Sequence, residues 1–261
     1  MGQPASPYTK NIIHTKGITG NTLKLIAIVT MFIDHTGVAL VENGILKFQD
    51  SSLMQQILAT PEGARWSTVD TLLRTAGRLA FPIFCFLLVE GFIHTRDVKK
   101  YGARLLVFAF ISEVPFDLAI FGRWFYPEYQ NVYFTLFLGL CVLEGYDRAA
   151  GRPLRQALAV LTGCLAAVVI RCDYNVIGIL MILFFYIYHD NKLLKALFGG
   201  GLAFIESLGC FGAAVLAFIP IHLYNGQRGE RNLKYFFYCF YPAHLLLLYI
   251  LGLIIFNSKL I

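Results

Sequence analysis

Residues 23–41 read LKLIAIVTMFIDHTGVALV, an almost wholly apolar run that is long enough to cross a bilayer as one helix. Two adjacent ionisable residues, Asp34 and His35, interrupt it about two-thirds of the way along. A charge at that depth is costly unless it is paired or hydrated, so an ionisable residue inside a span indicates a functional site by default. The run therefore predicts a retained membrane helix, not a signal peptide, that carries a polar site.

The rest of the chain is similarly apolar. Of its 261 residues, 57% are hydrophobic and 15% charged, and the mean hydropathy is +0.63. This composition leaves too little polar surface to coat a soluble globule. We therefore predict an all-α polytopic transmembrane helix bundle that forms a single membrane domain over residues 1–261. About nine helices are expected, within a range of eight to ten and with eight spans as the main alternative, at roughly 22–41, 77–94, 103–121, 132–145, 155–171, 174–189, 194–207, 209–224 and 236–256.

The distribution of Lys and Arg predicts the orientation, because short cytoplasmic loops carry the excess of these residues. With the amino terminus inside, fifteen of the twenty-two Lys and Arg residues lie at the inner face. We expect a bacterial inner-membrane protein with a cytoplasmic amino terminus. The net charge of +6 is then a topology signal that calls for no nucleic-acid partner. It leaves a bias for anionic membrane lipid or a phosphorylated cofactor at the inner face.

The longest connection, at about residues 42–76, is expected outside the membrane as an extracytoplasmic loop. It mixes charges with Trp66 and Pro61, and is read either as a lid or substrate-docking segment or as a surface or re-entrant loop. The six cysteines lie in or beside apolar segments with no CxxC pair, so they are read as packing residues and no metal site is expected.

Four ionisable residues from three predicted helices are expected at one depth, in the outer half of the membrane: Asp34, His35, Arg78 and Glu113. Adjacent helical residues point about 100° apart, so Asp34 is not expected to touch His35, and Arg78 or Glu113 would be the closer partner. A histidine can take a proton from an attacking amine or hydroxyl, and an arginine can stabilise an oxyanion. The alternative is an Asp34–Arg78 ion pair that joins helices, with His35 as a passive hydrogen-bond donor.

A second polar group is expected at the cytoplasmic ends of the helices. Lys and Arg pair with phosphate oxygens, so this basic mouth is a candidate site for a nucleotide-derived cofactor. The alternative is an ordinary positive-inside loop. Deep in the last helix, Pro242 frees a carbonyl and His244 either lines a cavity or is satisfied by a neighbouring helix. The cofactor-binding candidates are Glu90, His94, Arg96, Lys99, Lys100, Arg104, Arg228 and Arg231.

Several sequence strings, in order along nearly the whole chain, resemble the TraX family of integral membrane proteins. They are LIAIVTMFIDH (25–35), RLAFPIF (78–84), EGFIHTR (90–96), YGARLL (101–106), ISEVPF (111–116), NVYFTL (131–136), YNG (224–226) and FYPAH (240–244). The best-known member of that family acetylates the amino-terminal residue of a conjugative pilin. The family is also similar to larger polytopic acyltransferases that use cytoplasmic acetyl-CoA.

The resemblance implies an acetyl-CoA-dependent acyltransferase whose acceptor is an extracytoplasmic peptide, glycan or lipid. On that reading His35 deprotonates the acceptor with help from Asp34 or Glu113, while Arg78 steadies the developing negative charge, and the inner helix ends admit acyl-CoA. An acyl-histidine intermediate is the alternative to direct transfer. The competing functional class is a proton-coupled transporter or channel in which such residues relay protons or bind a solute. A purely structural membrane partner is the third option.

Overall fold

The computed structural model describes residues 17–229 and 234–257. The regular elements in these ranges are all helices joined by short turns and loops, with no strand among them. The predicted all-α class is therefore confirmed. Within these ranges three continuous helices are long and apolar enough to cross a membrane by themselves, Gly20–Ile45, Pro61–His94 and Tyr235–Phe256. The count of nine spans stays a prediction. In chain order the helices are α1 (Gly20–Thr36), α2 (Ser51–Leu58), α3 (Pro61–Gly77), α4 (Ala80–His94), α5 (Val98–Phe116), α6 (Val132–Arg148), α7 (Pro153–Val169), α8 (Asn175–Ile187), α9 (Lys192–Leu194), α10 (Gly200–Glu206), α11 (Phe218–His222) and α12 (Lys234–Asn257).

Three π-helical segments extend or connect these α-helices, and in each the helix is wider by about one residue per turn. The first is Gly37–Ile45, which follows directly on α1, and the others are Asp117–Phe121 after α5 and Lys195–Gly199 between α9 and α10. Short π segments inside α-helices are frequent at functional sites. Asp34 and His35 lie in the last turn of α1, immediately before the first of them.

Helix α4 is the centre of the bundle. It buries ten of its residues and packs against α1, α6 and α8 as well as the segment before α11. Helices α5 and α12 pack on each other, and α7 lies outermost, with Gly163 and Ala167 as its buried residues. The exposed faces of the outer helices are rich in Leu, Ile, Val and Phe. Such faces are suited to lipid contact, and the helical spans are those of a membrane protein.

The segment at 42–76 differs from the loop that the sequence analysis expected, because most of it is helical. After the π turn it forms α2, capped by Asp50, and then α3, capped by Thr60 with Pro61 in the first turn. Both caps are good N-terminal signals, since a side-chain oxygen accepts from the free amides of the first turn. Helix α3 packs along α1 and delivers its last turn to the residues around Asp34.

Candidate active site

Asp34 lies between two arginines that are one helical turn apart. Its Oδ2 accepts a hydrogen bond from Arg74 Nη1 at 2.6 Å, and its Oδ1 accepts one from Arg78 Nη2 at 2.9 Å. A spacing of four residues places Arg74 and Arg78 on one helix face, so both reach the same carboxylate. Gly77 permits the approach, because a Cβ there would overlap the Asp34 side chain. The ion pair that the sequence analysis gave as its alternative is present.

The network extends to two more carboxylates on other elements. Arg74 Nε is 3.2 Å from Glu42 Oε1, in the π turn, and Arg78 Nη1 is 3.3 Å from Glu206 Oε1, at the end of α10. Three carboxylates therefore surround two guanidinium groups, and the second oxygen of Glu206 is buried with no partner among the described atoms. This ionic network joins α1, α3 and α10. Arg74, Glu42 and Glu206 were not predicted as site residues from the sequence; the four-residue spacing of the two arginines was the available signal for Arg74.

His35 belongs to a separate pair. Its Nδ1 is 2.6 Å from Nε2 of His244, on α12, and the two rings stack with centroids 4.9 Å apart. His244 Nδ1 is 2.7 Å from the carbonyl oxygen of Phe240. A carbonyl can only accept, so the neutral His244 carries its proton on Nδ1 and accepts at Nε2. It follows that His35 donates from Nδ1 and keeps the lone pair of its Nε2.

The expectation that Arg78 or Glu113 is the closer partner of His35 is wrong, because His244 fills that position. Asp34 does not bond His35, as expected, since both its oxygens face the arginines. Glu113 lies elsewhere: its Oε2 accepts from Asn131 Nδ2 at 2.7 Å, and the same amide group donates to the Ala109 carbonyl. The four predicted residues thus form two clusters and an isolated hydrogen bond instead of one constellation.

Tyr241 and Tyr133 continue inward from the histidine pair. The Tyr241 ring packs edge-on to His35, with centroids 5.8 Å apart, and edge-on to Tyr133 at 5.2 Å. Pro242 has no N–H and so leaves the Tyr238 carbonyl without its helical partner. The Tyr133 hydroxyl donates to that carbonyl at 3.1 Å. The proline is therefore compensated by a tyrosine whose ring also connects the histidines to the interior cavity described next.

A cavity of about 480 Å³ opens at the end of the bundle where α1 and α5 begin and α4 ends, here called the basic end. Its volume is within the usual range for small-molecule sites. Tyr133 lines its deep end, level with Phe108, whose ring centroid is 6.2 Å away. Phe108 lies ten residues into α5, so at 1.5 Å per residue the cavity reaches about 15 Å inward. Lys24, Arg104 and Arg228 line the outer part.

Backbone pairing builds the mouth of this cavity. The segment before α12 runs beside the start of α1, where Ile18 N donates to Leu223 O at 2.9 Å and Gly20 N donates to Gln227 O at 2.7 Å. The Gly20 bond satisfies an amide of the first turn of α1, which the helix cannot pair internally. Both bonds also place Tyr224, Gly226 and Arg228 at the opening.

The sequence comparisons agree with this architecture. The model of the family described as TraX protein matches residues 19–252, which is most of the chain. The chain belongs to the TraX family. A curated relative, the probable fimbrial assembly protein FimC of serogroup H1 from Dichelobacter nodosus, is 29% identical over 253 residues, which cover 87% of this chain and 92% of the relative. No solved structure matches the chain significantly.

In this TraX-family chain, half of the predicted cofactor-binding residues line the cavity: Glu90, His94, Arg104 and Arg228. Arg96, Lys99 and Lys100 are exposed and are not among its lining residues, while Arg231 lies outside the described residues. Arg104 Nε is buried with no partner among the described atoms. A cationic mouth with an unsatisfied guanidinium N–H above an aromatic interior fits a ligand with a phosphorylated head and a narrow, less polar arm, as acyl-CoA has.

Glu90 is the point at which this cavity meets a further histidine. Its Oε1 is 2.7 Å from His189 Nε2, whose other nitrogen is 2.9 Å from Asp190 Oδ1. His94 bonds the Glu90 carbonyl through Nδ1 at 2.8 Å, one turn along α4. His189 was not predicted as a site residue from the sequence, because its pairing with Glu90 joins α4 to the turn after α8.

Proposed function

We propose that the protein is a membrane-embedded acyltransferase that moves an acyl group, acetyl in the first instance, from cytoplasmic acyl-CoA to an amine or hydroxyl of an extracytoplasmic acceptor. One observation carries this proposal: the cavity at the basic end reaches inward to Tyr133, and Tyr241 packs between that residue and the His35–His244 pair. A ligand that reached the deep end of this cavity would be separated from a histidine with a free ring nitrogen by the Tyr133 and Tyr241 side chains.

His35 is the proposed general base. Its Nε2 takes the proton of the acceptor amine or hydroxyl as the acceptor atom bonds to the thioester carbonyl carbon, and the positive charge that results is shared through the hydrogen bond from Nδ1 to His244. The carbon–sulfur bond of the thioester then breaks, and coenzyme A leaves as the thiol with the proton that His35 returns. His244 thereby has the orienting role for which the sequence analysis named Asp34 or Glu113. A neutral partner of this kind fixes the tautomer without a carboxylate.

Arg78 remains the candidate for stabilising negative charge on the reacting carbonyl. A guanidinium group has five N–H donors, and three of those in Arg78 are directed at Asp34, Glu206 and the Arg74 carbonyl. Two N–H groups are left for a substrate oxygen. The ionic network holds the guanidinium in place, and preorganised donors of this kind are the usual means of oxyanion stabilisation.

The proposed orientation puts the basic end in the cytoplasm of a bacterium, because the Lys and Arg excess lies there. Acyl-CoA supplies an activated thioester carbonyl from that side, and Lys24, Arg104 and Arg228 are the residues proposed to hold its diphosphate. The acceptor approaches from the opposite end, past the ionic network. Since the curated relative is named for fimbrial assembly, a fimbrial subunit is the first acceptor to test.

The test uses inside-out vesicles that contain the protein, radiolabelled acetyl-CoA outside and a fimbrial subunit inside. We expect label in the acceptor, and we expect His35→Gln to lower its rate of labelling by about 100-fold or more while the binding of CoA persists. The matched control is Thr30→Val on the same helix, because the Thr30 hydroxyl bonds carbonyls of α1 itself. Full labelling by His35→Gln would overturn the role of that residue.

A transporter or channel is the competing function, and the same vesicles separate the two. A protein that binds no CoA but takes up a solute in response to a proton gradient would be a transporter, and the acyltransferase proposal would then be refuted.

A further inference from the structure

A second cavity, of about 320 Å³, lies beside the first at the basic end. The two share four lining residues, Glu90, His94, Tyr224 and Gly226, so the cavities adjoin each other. The second cavity is bounded by α4 on one side and by the start of α9 and the end of α11 on the other.

Two lysines give this second cavity its charge. Lys195 Nζ is 5.1 Å from the centroid of the Phe86 ring, which also lines the cavity, and a cation–π contact of this kind holds the ammonium group at the wall. Lys192 lies one turn earlier on the lining. Neither lysine forms a salt bridge with a carboxylate of the described residues.

The acidic groups nearby are already engaged. Glu90 and Asp190 both face His189, at 2.7 Å and 2.9 Å from its two ring nitrogens. Asp190 also has a fully exposed side chain, so solvent screens its charge. The histidines that line the cavity, His94, His189 and His222, add hydrogen-bonding capacity. Neither lysine has a salt bridge of its own among the described residues, although the charges of Glu90 and Asp190 act on Lys195 through space. The cavity therefore presents two ammonium groups that can bind an anion.

We propose that this second cavity is a phosphate subsite for the nucleotide end of the acyl donor, with Lys192 and Lys195 binding the phosphate on its ribose. The inference rests on the proposed function. Lysine is a common point-charge partner of phosphate. The first cavity then binds the arm that carries the thioester, so the two cavities bind opposite ends of one ligand.

This assignment differs from the one that the sequence favoured. Lys99 and Lys100, which were grouped with the cofactor mouth, line neither cavity, and Lys100 is paired with Asp97 at 3.3 Å. Lys192 and Lys195 were counted in the sequence only as inner-face topology charges. Tertiary packing decides their position, because it brings Lys195 against Phe86 of α4 and places both lysines in the lining of the second cavity.

The test compares coenzyme A with 3′-dephospho-coenzyme A, which lacks only the ribose phosphate, in equilibrium binding to the purified full-length protein in lipid nanodiscs. A charge-assisted phosphate contact gives a difference of about tenfold or more in dissociation constant. We expect the wild type to bind coenzyme A more tightly by such a factor. We expect Lys192→Ala and Lys195→Ala to lose that preference while they bind dephospho-coenzyme A as the wild type does.

Unchanged binding of the dephospho ligand shows that the variants are folded, and Lys99→Ala is the matched control that should keep the full preference. Equal losses for both ligands, or a preference retained in both lysine variants, would overturn the subsite. No binding of either ligand to the wild type would instead refute the proposed function, so the two failures are distinguishable.

Discussion

The Arg78 guanidinium pairs with two buried carboxylates, Asp34 and Glu206. If Arg78 is removed, the two carboxylates differ in whether another cation remains beside them. Asp34 keeps Arg74 at 2.6 Å, whereas Glu206 has Arg78 as its one salt-bridge partner among the described residues and a second oxygen with no partner at all. The side chains of Arg78 and Glu206 are only 14% and 11% exposed, so water screens little of the interaction. Arg78→Met should therefore leave an orphaned buried charge, a change that typically costs about 3–5 kcal/mol.

The double variant Arg78→Met/Glu206→Gln also removes the unpaired carboxylate charge, so the coupling free energy between the two residues can be measured. A neutral amide needs only hydrogen bonds, so the double variant should be less destabilised than the sum of the two single variants by about 1–3 kcal/mol. Asp34 and Arg74 stay paired in all three proteins. The coupling thus reports on the Arg78–Glu206 contact itself.

The free energies of unfolding are measured by SDS titration in mixed micelles, with helicity as the signal. The exposed pair of Arg148 and Glu144, one turn apart on α6, is the matched control. Its own cycle, Arg148→Met/Glu144→Gln, should give a coupling below about 0.5 kcal/mol. If the costs of the buried pair simply add, then the orphaned-charge reasoning is refuted.

Two further changes test the site, and a third tests the cap of α5. Gly77→Ala puts a methyl group against the α1 carboxylate and should cost about 1–3 kcal/mol of unfolding free energy, whereas Gly201→Ala, whose Cβ meets open space, should not; equal effects would contradict the close approach. His244→Gln keeps an acceptor for His35 Nδ1 and His244→Leu does not, so acyl transfer should be at least about tenfold faster in the glutamine variant, and equal rates would exclude the orienting role. Asp97 caps α5 by accepting a hydrogen bond from the Lys100 amide, which lowers the pKa of the Asp97 carboxyl below its ordinary value. The charged carboxylate therefore stabilises the fold above about pH 4. The difference in unfolding free energy between wild type and Asp97→Asn should shrink as the pH falls through that lowered pKa, and a pH-independent difference would contradict this cap.

Much of the fold was predictable from local pattern. Eight of the nine predicted segments overlap helices of similar length, because apolar runs bounded by capping residues and loops report helices directly. The ninth, at 209–224, is broken into short 3₁₀ turns and the five-residue helix α11. The connection at 42–76, which was predicted as a loop, forms the polar helices α2 and α3. Their hydropathy is too low for a span, and only the caps at Asp50 and Thr60 signalled them.

The sequence by itself determined that this is a helical membrane protein of the TraX family, and it singled out Asp34, His35 and Arg78 as intramembrane ionisable residues. Tertiary structure alone decided their partners. His35 meets His244 across 209 residues and Arg78 meets Glu206 across 128. Depth along a helix follows from counting residues, but which side chains touch depends on how each helix is rotated against its neighbours, and that rotation is set by packing contacts throughout the bundle.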